Sequence, residues 1–171
     1  GAGRSSSALI SYLLKHAAIN QWNVRVGDMN EGFAKDRVGD NLHGTAFQFD
    51  LKNHTQRDEE IQKADLVVSM LPATMHGQVA EDCVRFGKHL VTASYVSEKM
   101  RSLHGEAKYK GIILLNEMGL DPGIDHMSAM QIIDGIHARG GEMKAFYSYC
   151  GGLVAPESND NQWGYKFSWN P

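Results

Sequence analysis

The sequence predicts an α/β protein built on a doubly wound parallel sheet, followed by the start of a second, α+β domain. Three observations lead there. Short apolar runs alternate with helical patterns along most of the chain, as parallel strands joined by crossover helices require. A glycine turn, Gly1-Ala2-Gly3-Arg4-Ser5-Ser6, opens the chain and runs straight into a helical pattern. A second turn, Gly119-Leu120-Asp121-Pro122-Gly123-Ile124-Asp125-His126, lies just past the last apolar run, and loops at strand ends are where α/β sheets meet their ligands.

The first element is the helix after the glycine turn, whose apolar residues Ala8, Leu9, Ile10, Leu13 and Leu14 fall on a helical face. Turn and helix form half of a Rossmann-type dinucleotide fingerprint. Gly1 makes the turn, Gly3 lets backbone approach a pyrophosphate, and Ser6 stands where a third small residue allows close helix–strand packing. The confirming acidic residue belongs about 20 residues further on. Trp22 to Asp28 supplies it, as a short strand ending in Asp28. The strand that normally feeds such a turn is not in the chain, so the sequence is expected to be a piece of a longer protein with an equally arbitrary end at Pro171.

The remaining elements follow in order. Gly27 to Gly44 is polar and punctuated by glycine, which reads as a loop or short helix. Strands are expected at 46–50, 66–72, 89–94 and 112–116, from their β-branched and apolar runs. A helix from Met75 to Phe86 carries Val79, Cys83 and Phe86 on one side, which makes Cys83 a core residue. Ser97 caps a further helix through Met100, Leu103 and Ala107. In the second turn Pro122 fixes φ and pushes Asp121 toward extended geometry, while Gly123 tolerates a positive φ. By themselves Asp121 and Asp125 are open to two readings, chemistry or the plain work of starting a turn and capping a helix near His126. Beyond it, a helix closes at Gly140-Gly141, a strand spans Ala145 to Cys150, and Gly164 to Trp169 is an aromatic, strand-like run. The dinucleotide domain is expected at 1–121 and the start of a second domain at 122–171.

Composition narrows the function classes. With 17 Lys and Arg, 20 Asp and Glu and a net charge of -3, the chain has no global charge that attracts nucleic acid or an anionic membrane. No apolar run reaches about 18 residues, the length of a membrane-crossing helix. Two widely separated cysteines, Cys83 and Cys150, form neither a disulfide framework nor a metal spacing, so a reducing, cytoplasmic setting is the default. His43, His54, His76 and His89 show no ligand spacing; structural or surface roles are expected for them and no metal is assigned.

Four blocks in this order resemble one family: Ala93-Ser94-Tyr95-Val96-Ser97, Asn116 through His126, Ser148-Tyr149-Cys150-Gly151-Gly152-Leu153, and Gly164-Tyr165-Lys166-Phe167-Ser168-Trp169. Together they are similar to the glutamate-forming saccharopine dehydrogenases. Val154 and Asn170 depart mildly from the family pattern. The resemblance implies an oxidoreductase of lysine metabolism that oxidises the secondary amine of saccharopine with a nicotinamide cofactor, giving L-glutamate and 2-aminoadipate 6-semialdehyde. It implies Asp121, Tyr95 and Cys150 around the reacting nitrogen, with Ser94, Gly151, Gly152 and Lys166 joining Tyr95 and Asp121 in binding substrate. Cofactor binding is expected at Gly1, Gly3, Arg4, Ser5 and Asp28, with Leu71 and Pro72. NAD is expected over NADP, because Asp28 can hydrogen-bond a ribose 2′-hydroxyl and repel a 2′-phosphate; NADP is the alternative, and Arg4 the residue that favours it. A small-molecule amino-acid substrate is the expected partner, and a homodimer the expected assembly. Two other readings stay open. One is a related secondary-amine enzyme such as carboxynorspermidine dehydrogenase or homospermidine synthase, and the other a non-catalytic dinucleotide-binding protein.

Overall fold

The computed structural model describes residues 1–149, 151 and 154–166. The chain forms two compact units, Gly1–Ala129 and Met130–Pro171.

In the first unit a short 3-10 turn, Arg4–Ser6, leads from the glycines into α1 (Ser7–Asn20). Ile10, Leu14 and Ala17 recur at helical spacing and are buried, and Gln21 ends the helix in the left-handed conformation. Next come β1 (Val24–Asp28), α2 (Glu31–Val38), β2 (Gly44–Gln48) and α3 (His54–Lys63). They are followed by β3 (Leu66–Ser69), α4 (His76–Phe86), β4 (His89–Thr92), α5 (Glu98–Ser102), α6 (His104–Tyr109), β5 (Leu114–Leu115) and α7 (Ile124–Ala138). β1 pairs with β2, and β3, β4 and β5 pair in that order; every pairing is parallel. All strands therefore run the same way within their sheets, and the loops that follow them leave from common ends.

Each sheet has its own core. Ala2, Ile10, Leu14, Val26, Ala34 and Val38 pack around β1. Leu51, Ile61, Val79, Ala80, Cys83, Leu90 and Met100 pack around β3 and β4. Cys83 is fully buried, and burial, with Asp82 adding to it, pushes its thiol up to about 12, so it is a small core hydrophobe as its helical spacing suggested. Beside the second core lies an ion pair: Arg57 of α3 donates from Nε to Asp82 of α4, and from Nη1 to the Leu51 carbonyl at 2.7 Å.

Several expected elements differ. The polar stretch 27–44 contains a true helix, α2, started by Asn30, whose side chain accepts from the Gly32 amide. α3 is an element the sequence reading lacks; Asn53 caps it by accepting from the Gln56 amide. The helix capped by Ser97 breaks into α5 and α6 at Leu103. β3 ends at Ser69 because Pro72, which has no amide to donate, sets a turn there.

In the second unit α7 closes at glycine as expected, with the Gly140 amide donating to His137 and the Gly141 amide to Ile136. Ala145 to Tyr149 is irregular where a strand was expected, and Phe146, Tyr147 and Tyr149 are exposed. A strand needs a hydrogen-bonded neighbour, and no ladder reaches this segment among the described residues. Gly164 to Lys166 is likewise irregular; the rest of that aromatic run, like Cys150 and Gly152, lies outside the described residues.

Candidate functional site

The glycine turn sits between the ends of β1 and β3. Ala2 donates its amide to Asp28 Oδ2 at 2.7 Å, and Asp28 Oδ1 accepts from the Asn30 amide at 2.9 Å. Partial burial pushes the Asp28 carboxyl up, but the two amides outweigh it and hold its pKa below the ordinary value. On the other side, a Cβ on Gly1 would lie 2.4 Å from the Met70 carbonyl oxygen, so only glycine allows the turn to approach the end of β3. Gly3 differs. A Cβ there would meet nothing within 4 Å, which leaves its backbone open to a ligand. Ser6 is 1 % exposed and its hydroxyl donates to the Gly3 carbonyl at 2.8 Å, so the third small position is filled and satisfied. Arg4 and Ser5 are exposed beside this opening, and Leu71 and Pro72 follow the end of β3. The turn, the open face above Gly3 and the helix behind it fit the pyrophosphate of a dinucleotide.

The second cluster lies past β4 and β5, which are neighbours. Ser94 and Tyr95 follow β4, and Tyr95 is 67 % exposed. Their loop is held by the segment after β5: Glu117 donates its amide to the Ser94 carbonyl at 3.0 Å and Met118 to the Thr92 carbonyl at 3.1 Å. The Val96 amide in turn donates to Glu117 Oε1 at 3.2 Å. Glu117 adopts φ +61°, a left-handed conformation costly for a non-glycine residue, and these reciprocal bonds hold it there.

Asp121 stands on a closed loop just beyond. The Gly119 amide donates to the Pro122 carbonyl and the Ile124 amide to the Gly119 carbonyl, both at 2.9 Å. The backbones meet so closely that a Cβ on Gly123, at φ +150°, would lie 2.1 Å from the Gly119 oxygen; glycine is obligatory there. A Cβ on Gly119 would lie 3.1 Å from the Ala93 side chain, so the Asp121 loop packs against the residue preceding Ser94. The Asp121 carboxylate is exposed and makes no hydrogen bond among the described residues, which leaves it available.

Asp125 has another role than a helix cap. α7 begins at Ile124, and Asp125 Oδ1 reaches back to accept from the Gly123 amide and meets His126 Nδ1, each at 2.8 Å. Its carboxylate braces the loop. Its bond to Asp125 raises the His126 pKa above the ordinary value. In the second unit Lys166 donates to the Ser158 carbonyl at 2.8 Å and pairs with Asp160 at 2.9 Å, and Gly151 is exposed.

From sequence Glu117 has no assigned role and His76 only a structural or surface one. His76 is 4 % exposed at the start of α4, among Ser69, Thr92 and Ser94. The signal that could have found it is a run of small hydroxyl residues at successive strand ends facing one helix start.

The chain is similar to known proteins along nearly its whole length. Residues 1–115 match the family model of the saccharopine dehydrogenase NADP binding domain, and residues 119–171 that of the saccharopine dehydrogenase C-terminal domain. A saccharopine dehydrogenase [NADP(+), L-glutamate-forming] of Pyricularia oryzae is 51% identical over 128 residues, covering 75% of this chain and 28% of that protein. The Schizosaccharomyces pombe protein of the same name is 36% identical over 170 residues, 99% of this chain and 37% of that one. Among solved structures, apo histidine-tagged saccharopine dehydrogenase (L-Glu forming) from Saccharomyces cerevisiae superimposes with a TM-score of 0.78 at 38% identity, over 99% of this chain and 37% of its own. The chain thus spans little more than a third, at most, of the relatives it matches here. No helix among the described residues is long and apolar enough to cross a membrane. A model covering the whole first unit's strands, a second adjoining it, and relatives matched along nearly all of the sequence place the chain in the saccharopine dehydrogenase family.

Proposed function

We propose that the protein to which this chain belongs oxidises the secondary amine of saccharopine with a nicotinamide cofactor, giving L-glutamate and 2-aminoadipate 6-semialdehyde. The observation that carries the reading is the convergence of an open glycine turn at β1 and β3 with the interlocked Tyr95 and Asp121 loops beyond β4 and β5. Residues 1–121 serve the dinucleotide and 122–171 begin the substrate domain.

Gly1, Gly3, Arg4, Ser5 and Asp28, with Leu71 and Pro72, hold the cofactor. When bound, the nicotinamide ring accepts a hydride from the carbon beside the amine. The amine must be neutral before that carbon can release hydride. Asp121, exposed and without a side-chain hydrogen bond among the described residues, takes the amine proton and later manages protons as water splits the imine. Tyr95 hydrogen-bonds and orients the substrate with Ser94. The resemblance to the family also assigns Cys150, Gly151, Gly152 and Lys166 to the substrate; Lys166 pairs with Asp160 and donates to the Ser158 carbonyl. The cofactor is NADP, as the relatives' names print, with NAD accepted beside it, because the Asp28 carboxylate next to the turn repels a 2′-phosphate. Both its oxygens already accept amides, which narrows the NAD preference expected from sequence. A homodimer in the cytoplasm completes the reading.

The test is Asp121→Asn in the full-length protein, assayed for saccharopine-dependent cofactor reduction. Turnover should fall by about 10²-fold, the usual scale for a general acid–base group, with cofactor affinity unchanged. Undiminished turnover would remove Asp121 from the chemistry.

A further inference from the structure

His76 is buried at the first position of α4, and a hydroxyl meets each of its ring nitrogens. Ser69 Oγ, at the end of β3, lies 2.8 Å from Nδ1, and Ser94 Oγ, two residues past β4, lies 2.8 Å from Nε2. Thr92 Oγ1 lies 3.3 Å from Nδ1 and 3.2 Å from Nε2, and accepts from the Ser94 amide at 3.4 Å. Burial holds the His76 pKa below its ordinary value, so the ring stays neutral. A neutral imidazole has one donor and one acceptor. One of the two close hydroxyls therefore donates and the other accepts, and in either tautomer the Ser94 Oγ is held to the ring.

Ser94 is also where the Tyr95 loop is anchored. The backbone of that loop is held by Glu117 and Met118 from the segment leading to Asp121, and its Val96 amide by the Glu117 carboxylate. The side chain of Ser94 is held by His76 of α4. Tyr95 lies between the two restraints and projects from them, with its ring exposed. A histidine serving only to fill the core would have no need to reach past the strand end to the residue next to Tyr95.

We infer that His76 is a positioning residue for saccharopine oxidation: through Ser94 it fixes the loop that carries Tyr95 beside the Asp121 loop. This rests on the function proposed above, and its test separates the two.

Asparagine and glutamine divide the imidazole between them, since an Asn amide falls near the place of Nδ1 and a Gln amide near that of Nε2. In the full-length enzyme His76→Asn keeps the Ser69 contact and loses the Ser94 contact, and His76→Gln does the reverse. Two readouts are taken, amide hydrogen exchange over residues 93–97 and steady-state kinetics with saccharopine. His76→Asn should lower exchange protection of that segment and cut kcat/KM for saccharopine by at least about tenfold, the scale of a small misplacement at a reacting centre. Cofactor affinity should be unchanged, and His76→Gln should recover most of both losses. Ser94→Ala, which removes the link while leaving Ser69 and His76 in place, should match the asparagine variant in the exchange readout, which serves if that variant does not fold. Equal effects of Asn and Gln, or a loss of cofactor affinity equal to the loss in kcat/KM, would overturn the inference. If the unsubstituted enzyme does not turn over saccharopine the functional reading fails, whereas the exchange arm still decides whether His76 holds the Tyr95 loop.

Discussion

Replacing Gly3 with valine should remove cofactor binding and leave the fold untouched. Gly3 has φ -65° and ψ -176°, an extended conformation open to any residue. Its added Cβ would meet nothing within 4 Å, so the substitution should cost no more than about 0.5 kcal/mol of stability, as exposed changes usually do. The branched side chain instead occupies the space through which a pyrophosphate approaches the backbone. Losing two hydrogen bonds to a charged phosphate, each worth about 1.5–3 kcal/mol, removes at least about 3 kcal/mol, and affinity should drop about a hundredfold or more. Calorimetric titration of the full-length protein with NADP and with NAD measures the loss, and a thermal melt checks the fold. Wild-type affinity in a normally folded variant would show that the pyrophosphate does not lie over Gly3, and the assignment of the glycine turn would fall.

Asp28→Asn keeps an acceptor for the Ala2 amide and removes the charge; the ratio of kcat/KM for NADP to that for NAD should rise by about tenfold, corresponding to about 1.4 kcal/mol of relieved repulsion, and an unchanged ratio would show that Asp28 does not face the ribose. Asp82→Ala strands the Arg57 guanidinium, which is 4 % exposed, without its carboxylate. Denaturant unfolding should register a loss of about 3–5 kcal/mol, and a loss under about 1 kcal/mol, the scale of a surface pair, would contradict the account. For His76, whose folded pKa lies below the ordinary 6.5, the unfolded chain takes up the proton first as pH falls. Its contribution is full above 6.5 and declines as pH drops toward the lowered folded value. His126 acts in the opposite sense, since Asp125 raises its pKa: its contribution is present below 6.5 and fades as pH rises through the raised value. Urea unfolding of wild type and His76→Gln from about pH 7.5 to about pH 5 should therefore show the decline in wild type alone, and parallel pH profiles would refute it.

The elements that could be read from sequence are those whose own residues determine them. Val24 and Val26, Leu66 to Val68, and Leu90 and Val91 carry strands in their own side chains, and α1 carries Ile10, Leu14 and Ala17 on one face. α3 could not be read that way. Between His54 and Lys63 its one aliphatic residue of core type is Ile61, and the helix is tied down by the Arg57–Asp82 pair, a contact 25 residues long that no local pattern reveals. The opposite error arose at Ala145 to Tyr149, where aromatic residues with strand propensity stand exposed without a ladder among the described residues. In the site, Asp28 and the turn glycines announced themselves by spacing, and Asp121 and Tyr95 by the blocks around them. His76 did not, because its meaning depends on Ser69, Thr92 and Ser94 meeting at the ends of two strands. Glu117 escaped for a similar reason: its left-handed backbone and its bond to Val96 exist only once β4 and β5 lie side by side.

The most direct test of the central claim is steady-state turnover of the full-length protein offered saccharopine or carboxynorspermidine, with NADP and with NAD. Cofactor reduction is followed by absorbance and the amino-acid products by mass spectrometry. Cofactor reduction is expected with saccharopine, with one L-glutamate and one 2-aminoadipate 6-semialdehyde per cofactor reduced, and no turnover with carboxynorspermidine. Reduction with carboxynorspermidine and none with saccharopine would contradict the claim.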